Sequence, residues 1–242
     1  MTDDAKTEAP LFYEKALRLL KDSGADFLLG GAFAVFHYTG VYRDTKDLDV
    51  FCKAESCPVI LKFFAARGYR VEQTDIRWLA KIYEGAYFID LIFDTPNNIC
   101  RVDDSWFQRA VEATLMGVPV QYVGPEEMIW CKAYVQNRLR YDGADIQHIL
   151  LRYGKKLDWE HLLSRLNQHW HLLLSILVLF QFIYPADYRG ILPEWLFTEL
   201  LTRARAQYEL PEVVRPVCLG PLIDQHQYVT DLEEWHYKTL QV

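Results

Sequence analysis

Residues 28–51 constrain the fold of this chain more than any other segment. In Asp47-Leu48-Asp49-Val50-Phe51, acidic and apolar residues alternate. Side chains two apart on a strand leave the same face about 6.5–7 Å apart. Asp47 and Asp49 therefore point one way, while Leu48 and Val50 point the other, into a core. Upstream, Gly30 and Gly31 close the apolar run Phe27-Leu28-Leu29 and open a helix. Unpaired backbone amides at a helix start, with the helix dipole behind them, favour an anion. A pair of carboxylates repels itself and calls for a cation, and an all-oxygen donor set suits magnesium. The segment thus couples a phosphate cradle to a metal-binding acid pair.

Gly30-Gly31, the spacer and Asp47-Leu48-Asp49 resemble the signature of the polymerase β-type nucleotidyltransferase superfamily, in particular its small bacterial members. That signature includes a third acid on a neighbouring strand, and Asp90 within Phe88-Ile89-Asp90-Leu91-Ile92-Phe93 supplies one. The resemblance spans about residues 25–150. It implies an α+β fold, with a nucleotidyltransferase-type mixed sheet flanked by helices and an all-helical C-terminal region behind it. It also implies transfer of a nucleoside monophosphate from a nucleoside triphosphate to a hydroxyl on a small molecule, a tRNA end or a protein. Asp47 and Asp49 would bind two magnesium ions, with manganese as the alternative. Asp90 would hold the acceptor-side ion and serve as general base, with Asp94 as its competitor. Gly30 and Gly31 would let the backbone approach the phosphates, and Lys132 falls where relatives place a lysine on the triphosphate.

Other residues admit plainer roles. Arg43 and Lys46 either neutralise phosphate charge or belong to a solvated loop. Arg138, Arg140, Asp142 and Asp145 read as an ion-pair network holding two helices. His169 and His171 do not share a helix face, and His37 reads as a packed side chain. Two further functions stay open. A nucleotide-sugar-dependent glycosyltransferase with manganese would explain Asp47 and Asp49 but leave Gly30, Gly31 and Asp90 without a task. A catalytically inactive nucleotide-binding or partner protein would keep the fold without the chemistry.

The formal charge of −7 and pI near 5.5 argue against extended nucleic acid as a partner, because such a surface repels phosphate. The five cysteines lack a Cys-x-x-Cys pair and sit mostly among apolar residues, as reduced thiols of a cytoplasmic protein do. No signal peptide is visible. The most apolar stretch, 170–184, is shorter than the roughly 20 residues of a membrane span and reads as a buried helix.

The remaining pattern places helices over 11–21, 32–39, 56–67, 106–112, 125–140, 142–153, 158–166, 170–184 and 193–207, with strands at 27–29, 47–51, 69–73, 78–83, 86–93 and 118–123. Residues 1–10 read as frayed. Glu84-Gly85 predicts a hairpin that sets Asp90 beside the strand of Asp47 and Asp49. The composition shift near Gly154 predicts a catalytic domain over 1–154 and a helical domain over 155–242. Pro211, Pro216 and Pro221 predict a surface-wandering tail whose aromatics dock, ending in a short helix at 231–238.

Overall fold

The computed structural model describes residues 3–210 and 216–239. The fold is α+β, in two compact units, Met1–Gly124 and Pro125–Val242. The helix pair at 125–153, expected with the catalytic part, groups with the C-terminal helices.

In the first unit the elements run α1 (Asp3–Asp22), β1 (Leu28–Leu29), α2 (Gly31–Thr39), β2 (Asp47–Phe51), α3 (Cys57–Ala65), β3 (Arg70–Asp75), β4 (Leu79–Glu84), β5 (Tyr87–Ile92), α4 (Asp104–Gln108), β6 (Val111–Leu115) and β7 (Val118–Tyr122). The strands form one sheet in the order β3-β4-β5-β2-β1-β7-β6. Pairing is parallel at β2/β5 and β1/β7 and antiparallel elsewhere. The pleat argument holds: Leu48 and Val50 are fully buried while Asp47 and Asp49 face the partly open side. Ile82, Ile89, Leu91, Phe64 and Trp106 extend this core. Trp106 stacks on Phe51 at 5.3 Å, which anchors α4 to the strand that carries the acids.

Three elements of this unit differ most from the sequence expectation. The helix expected at 106–112 is the shorter α4, and the strand β6 follows it. Met116 (φ 50°) and Gly117 (φ 73°) make the left-handed turn that folds β6 onto β7, a conformation that matches hairpin twist. Helix α1 also begins at Asp3, not after a frayed stretch of ten residues.

The second unit contains α5 (Pro125–Ala133), α6 (Gly143–Tyr153), α7 (Trp159–Leu166), α8 (Trp170–Ile183), α9 (Glu194–Ala206) and α10 (Val229–Glu233). Helix α5 stops seven residues short of its expected end at 140. The chain there turns back on itself, with Asn137 Oδ1 accepting from the N–H groups of Leu139 and Arg140 and Gln136 bridging to Tyr141. Glu126 and Glu127, first-turn acids that suit the helix dipole, are buried. Glu126 Oε1 accepts from the Asp158 N–H at 2.7 Å, and Glu127 Oε1 lies 2.6 Å from His161 Nε2. They fasten α5 to α7.

Helix α8 buries Leu173, Ile176, Leu177 and Phe180. Its other face carries Val178 and Phe182, the latter 82% exposed, so the helix is buried on one side only. The helical run Trp159–Ile183 is 25 residues and meets the length and composition of a membrane-crossing segment, which the shorter reading of 170–184 did not reveal. Near the C-terminus Trp235 is 62% exposed and does not dock as expected, whereas Tyr228 lies against Gly220. The short helix is α10, and Pro211 lies outside the described residues.

Candidate active site

The parallel pairing of β2 with β5 sets Asp49 opposite Asp90. One carboxylate oxygen from each of Asp47, Asp49 and Asp90 lies within 4.8 Å of the other two, and all three residues are half-buried. Two nonadjacent stretches of sequence thus deliver three hard oxygen donors to one point, a set suited to a divalent ion such as magnesium. Asp94 stands outside this cluster. Its Oδ1 accepts from the Thr95 N–H at 2.7 Å, and burial pushes its carboxyl above the ordinary value.

The glycine turn fits against the acids. Gly31 begins α2 with φ +53°, and a Cβ there would lie 1.6 Å from Asp49 Oδ2. A Cβ on Gly30 would meet the Phe51 ring at 2.3 Å. Both positions therefore require glycine, one for conformation and space, the other for space alone. The expectation of two free amides needs correction, because the Gly30 N–H donates to Asp49 O at 2.9 Å. That bond extends the β1/β2 ladder and ties the turn to the acid strand. The first-turn amides of α2 have no side-chain cap, so the anion-favouring end of this helix begins at Gly31.

Three residues at the site escaped the sequence reading. Lys81 pairs with Asp90 across the β4/β5 hairpin, its Nζ 2.5 Å from Asp90 Oδ1. Thr45 donates its hydroxyl to Asp47 Oδ1. Tyr13 donates to the Thr45 carbonyl at 2.7 Å, and burial followed by the charge of Asp47 raises its phenol well above the ordinary value. It stays protonated and props the loop before β2. Only Lys81 left a signal: with Gly85-Ala86 as a two-residue turn, counting outward from Glu84 and Tyr87 puts residue 81 opposite residue 90.

Arg43 and Lys46 lie exposed on the loop between α2 and β2. Lys132 belongs to the second unit, where its buried ammonium contacts Asp142 Oδ2 at 2.5 Å and Asp145 Oδ2 at 2.8 Å. Arg140 Nε adds a bond to Asp142 Oδ1 at 2.8 Å. Burial pushes the Asp142 carboxyl up, but Arg140 and Lys132 outweigh it and hold it below the ordinary range. His37 stacks on Tyr122 at 4.5 Å, and burial lowers its imidazole. His169 bonds Tyr134, and His171 bonds Gln207.

A mixed sheet that presents three carboxylates from adjacent parallel strands, beside a glycine-started helix, defines a nucleotidyltransferase-type fold. A family model described as "Nucleotidyl transferase of unknown function (DUF2204)" matches residues 11–167, and the chain belongs to that family of nucleotidyltransferases. No curated protein matches the sequence significantly. Among solved structures the chain is similar to the antibiotic-resistance factor ANT(2'')-Ia, at 15% identity and TM-score 0.46 over 84% of this chain and 96% of that one. It is also similar to the lincosamide antibiotic adenylyltransferase LnuA, at 16% identity and TM-score 0.43 over 62% and 96%. A third is JHP933 from Helicobacter pylori, at 15% identity and TM-score 0.41 over 84% and 98%.

Proposed function

We propose that the protein transfers a nucleoside monophosphate from a nucleoside triphosphate to a hydroxyl acceptor and releases pyrophosphate. The convergence of Asp47, Asp49 and Asp90 on one point, against a positive-φ glycine whose Cβ would overlap Asp49 Oδ2, carries this reading. The donor set is all oxygen and charge-rich, as magnesium or manganese requires. When bound, such ions polarise the phosphate oxygens and make the acceptor hydroxyl easier to deprotonate.

The chain's own residues have distinct tasks. Asp47 and Asp49 would hold the ions from one strand, and Asp90 would hold the acceptor-side ion and take up the hydroxyl proton at its carboxylate. Gly31 admits the phosphates to the backbone, while Arg43 and Lys46 supply positive charge from the loop. A triphosphate contact by Lys132 would share an ammonium already bonded to two carboxylates. The buried, reduced thiols of Cys52, Cys57 and Cys100 suit a reducing compartment, the cytoplasm.

The test is transfer of an α-labelled nucleotide to a panel of hydroxyl acceptors with magnesium or manganese. Transfer that falls about 10²- to 10⁴-fold in Asp90→Asn supports the reading. One observation favours a second reading, a nucleotide-binding protein without turnover: Lys81 already neutralises the third acid. Metal-dependent nucleotide binding with no transfer to any acceptor would select it.

A further inference from the structure

Strand pairing lines up four charged residues across the sheet. Glu72 on β3 stands opposite Lys81 on β4, Lys81 opposite Asp90 on β5, and Asp90 opposite Asp49 on β2. Directly opposed residues share a face of the sheet, with Cβ atoms about 4.5–5.5 Å apart. The row therefore reads acid, ammonium, acid, acid, and Lys81 has a carboxylate on either side. Its Nζ rests on Asp90 Oδ1 at 2.5 Å. Glu72, the other neighbour, is exposed. Its Oε2 accepts from the Tyr83 hydroxyl at 3.2 Å and from Arg70 Nη2 at 3.3 Å. An ionised carboxylate offers about four acceptor positions, so an ammonium can join those two donors. A lysine's flexible four-carbon stem can move between two such neighbours while the backbone stays in place.

A divalent ion on Asp90 and an ammonium on the same carboxylate repel one another at short range. We propose that Lys81 is a two-position residue of the site: it pairs with Asp90 until a divalent ion takes that carboxylate, and then passes to Glu72. Glu72 thereby acts on the site although it stands two strands from Asp90, about 9–10 Å away at the usual strand spacing. Because Glu72 is exposed, the displaced charge is both paired and hydrated at its new position, which lowers the cost of clearing Asp90. The inference rests on the metal-binding role given above to Asp47, Asp49 and Asp90, and it explains how one carboxylate serves both a lysine and an ion.

Manganese titration of the full chain without nucleotide, read by loss of the free ion's paramagnetic resonance signal, tests this apart from any transfer reaction. Glu72→Gln should weaken binding about threefold, because Lys81 loses its alternative carboxylate and holds Asp90 more firmly. Glutamine keeps an acceptor for Tyr83, so the strand contact survives the change. In a Lys81→Met chain the same Glu72→Gln change should leave the affinity unaltered, since no ammonium remains to be received. Lys81→Gln takes the place of Lys81→Met should that variant fail to fold, and circular dichroism melts establish that each variant is folded. Equal weakening by Glu72→Gln in both backgrounds would show only long-range attraction between Glu72 and the ion, and would overturn the proposal. No weakening in either background would overturn it as well. Absence of saturable binding to the wild type, or binding that survives the Asp47→Asn, Asp49→Asn double change, would instead remove the metal site itself and this inference with it.

Discussion

A methyl group at residue 31 would overlap Asp49 Oδ2 and would sit on a backbone with φ +53°, a conformation that costs an L-residue about 1–2 kcal/mol. Gly31→Ala should therefore lower the melting temperature modestly and reduce nucleotide transfer far more, because Asp49 must move. Equal losses in stability and activity, or no loss of either, would show that the turn is not tied to the acid. Lys81 gives a prediction of opposite sense. Its ammonium must give way when a divalent ion takes Asp90, so Lys81→Met should tighten manganese binding about three- to tenfold, read by calorimetry, against a surface-type Coulomb interaction of about 1 kcal/mol. Weaker binding in the variant would mean that Lys81 organises the site instead of competing for it. At this scale the acids were legible because a strand's two-residue period and one flanking glycine pair leave few alternatives. Tyr13 was not, since its bond to Thr45 joins residues 32 apart through a backbone carbonyl that no pattern marks.

The elements were legible wherever periodicity and punctuation agreed. Helix α2 ends at Gly40 in the left-handed conformation, β2 has the expected bounds, and the β4/β5 hairpin puts Asp90 in register with Asp49. Where side chains outbid the backbone pattern, the reading failed. Asn137 folds the chain back and ends α5 early, and β6 was hidden because Val111–Leu115 alternates half-buried with exposed residues and has no buried face. Ser56 and Asp142 stand at helix starts but make no side-chain capping bond. Asp142 is instead drawn to Lys132 and Arg140, and this joins α5 to the start of α6. A carboxyl held lower in the folded chain than in the unfolded one stabilises above its unfolded value, and this contribution fades as pH falls through the folded value. The melting temperature should thus decline on acidification below about pH 4. Asp142→Asn should flatten that decline and cost about 3 kcal/mol at neutral pH, since it leaves a buried lysine half-compensated. Parallel pH profiles for the two proteins would contradict the network's role.

For the molecule as a whole, the family match runs through the sheet unit and into the helical unit as far as residue 167. Helices α8, α9 and α10 lie beyond it. The acid-bearing side of the fold was readable because hard acids, a glycine turn and a buried strand obey strong local rules. The division at Gly124 was not, because the composition shifts only near Gly154, after two helices that already pack with the C-terminal set. The acceptor was equally hidden, since nothing in residues 155–242 has a spacing that marks one. The account stands on the three aspartates. Calorimetric titration of ATP with magnesium should show saturable, metal-dependent binding to the wild-type chain and its loss in the Asp47→Asn, Asp49→Asn double variant. Equal affinity in the two proteins would contradict the assignment of the site.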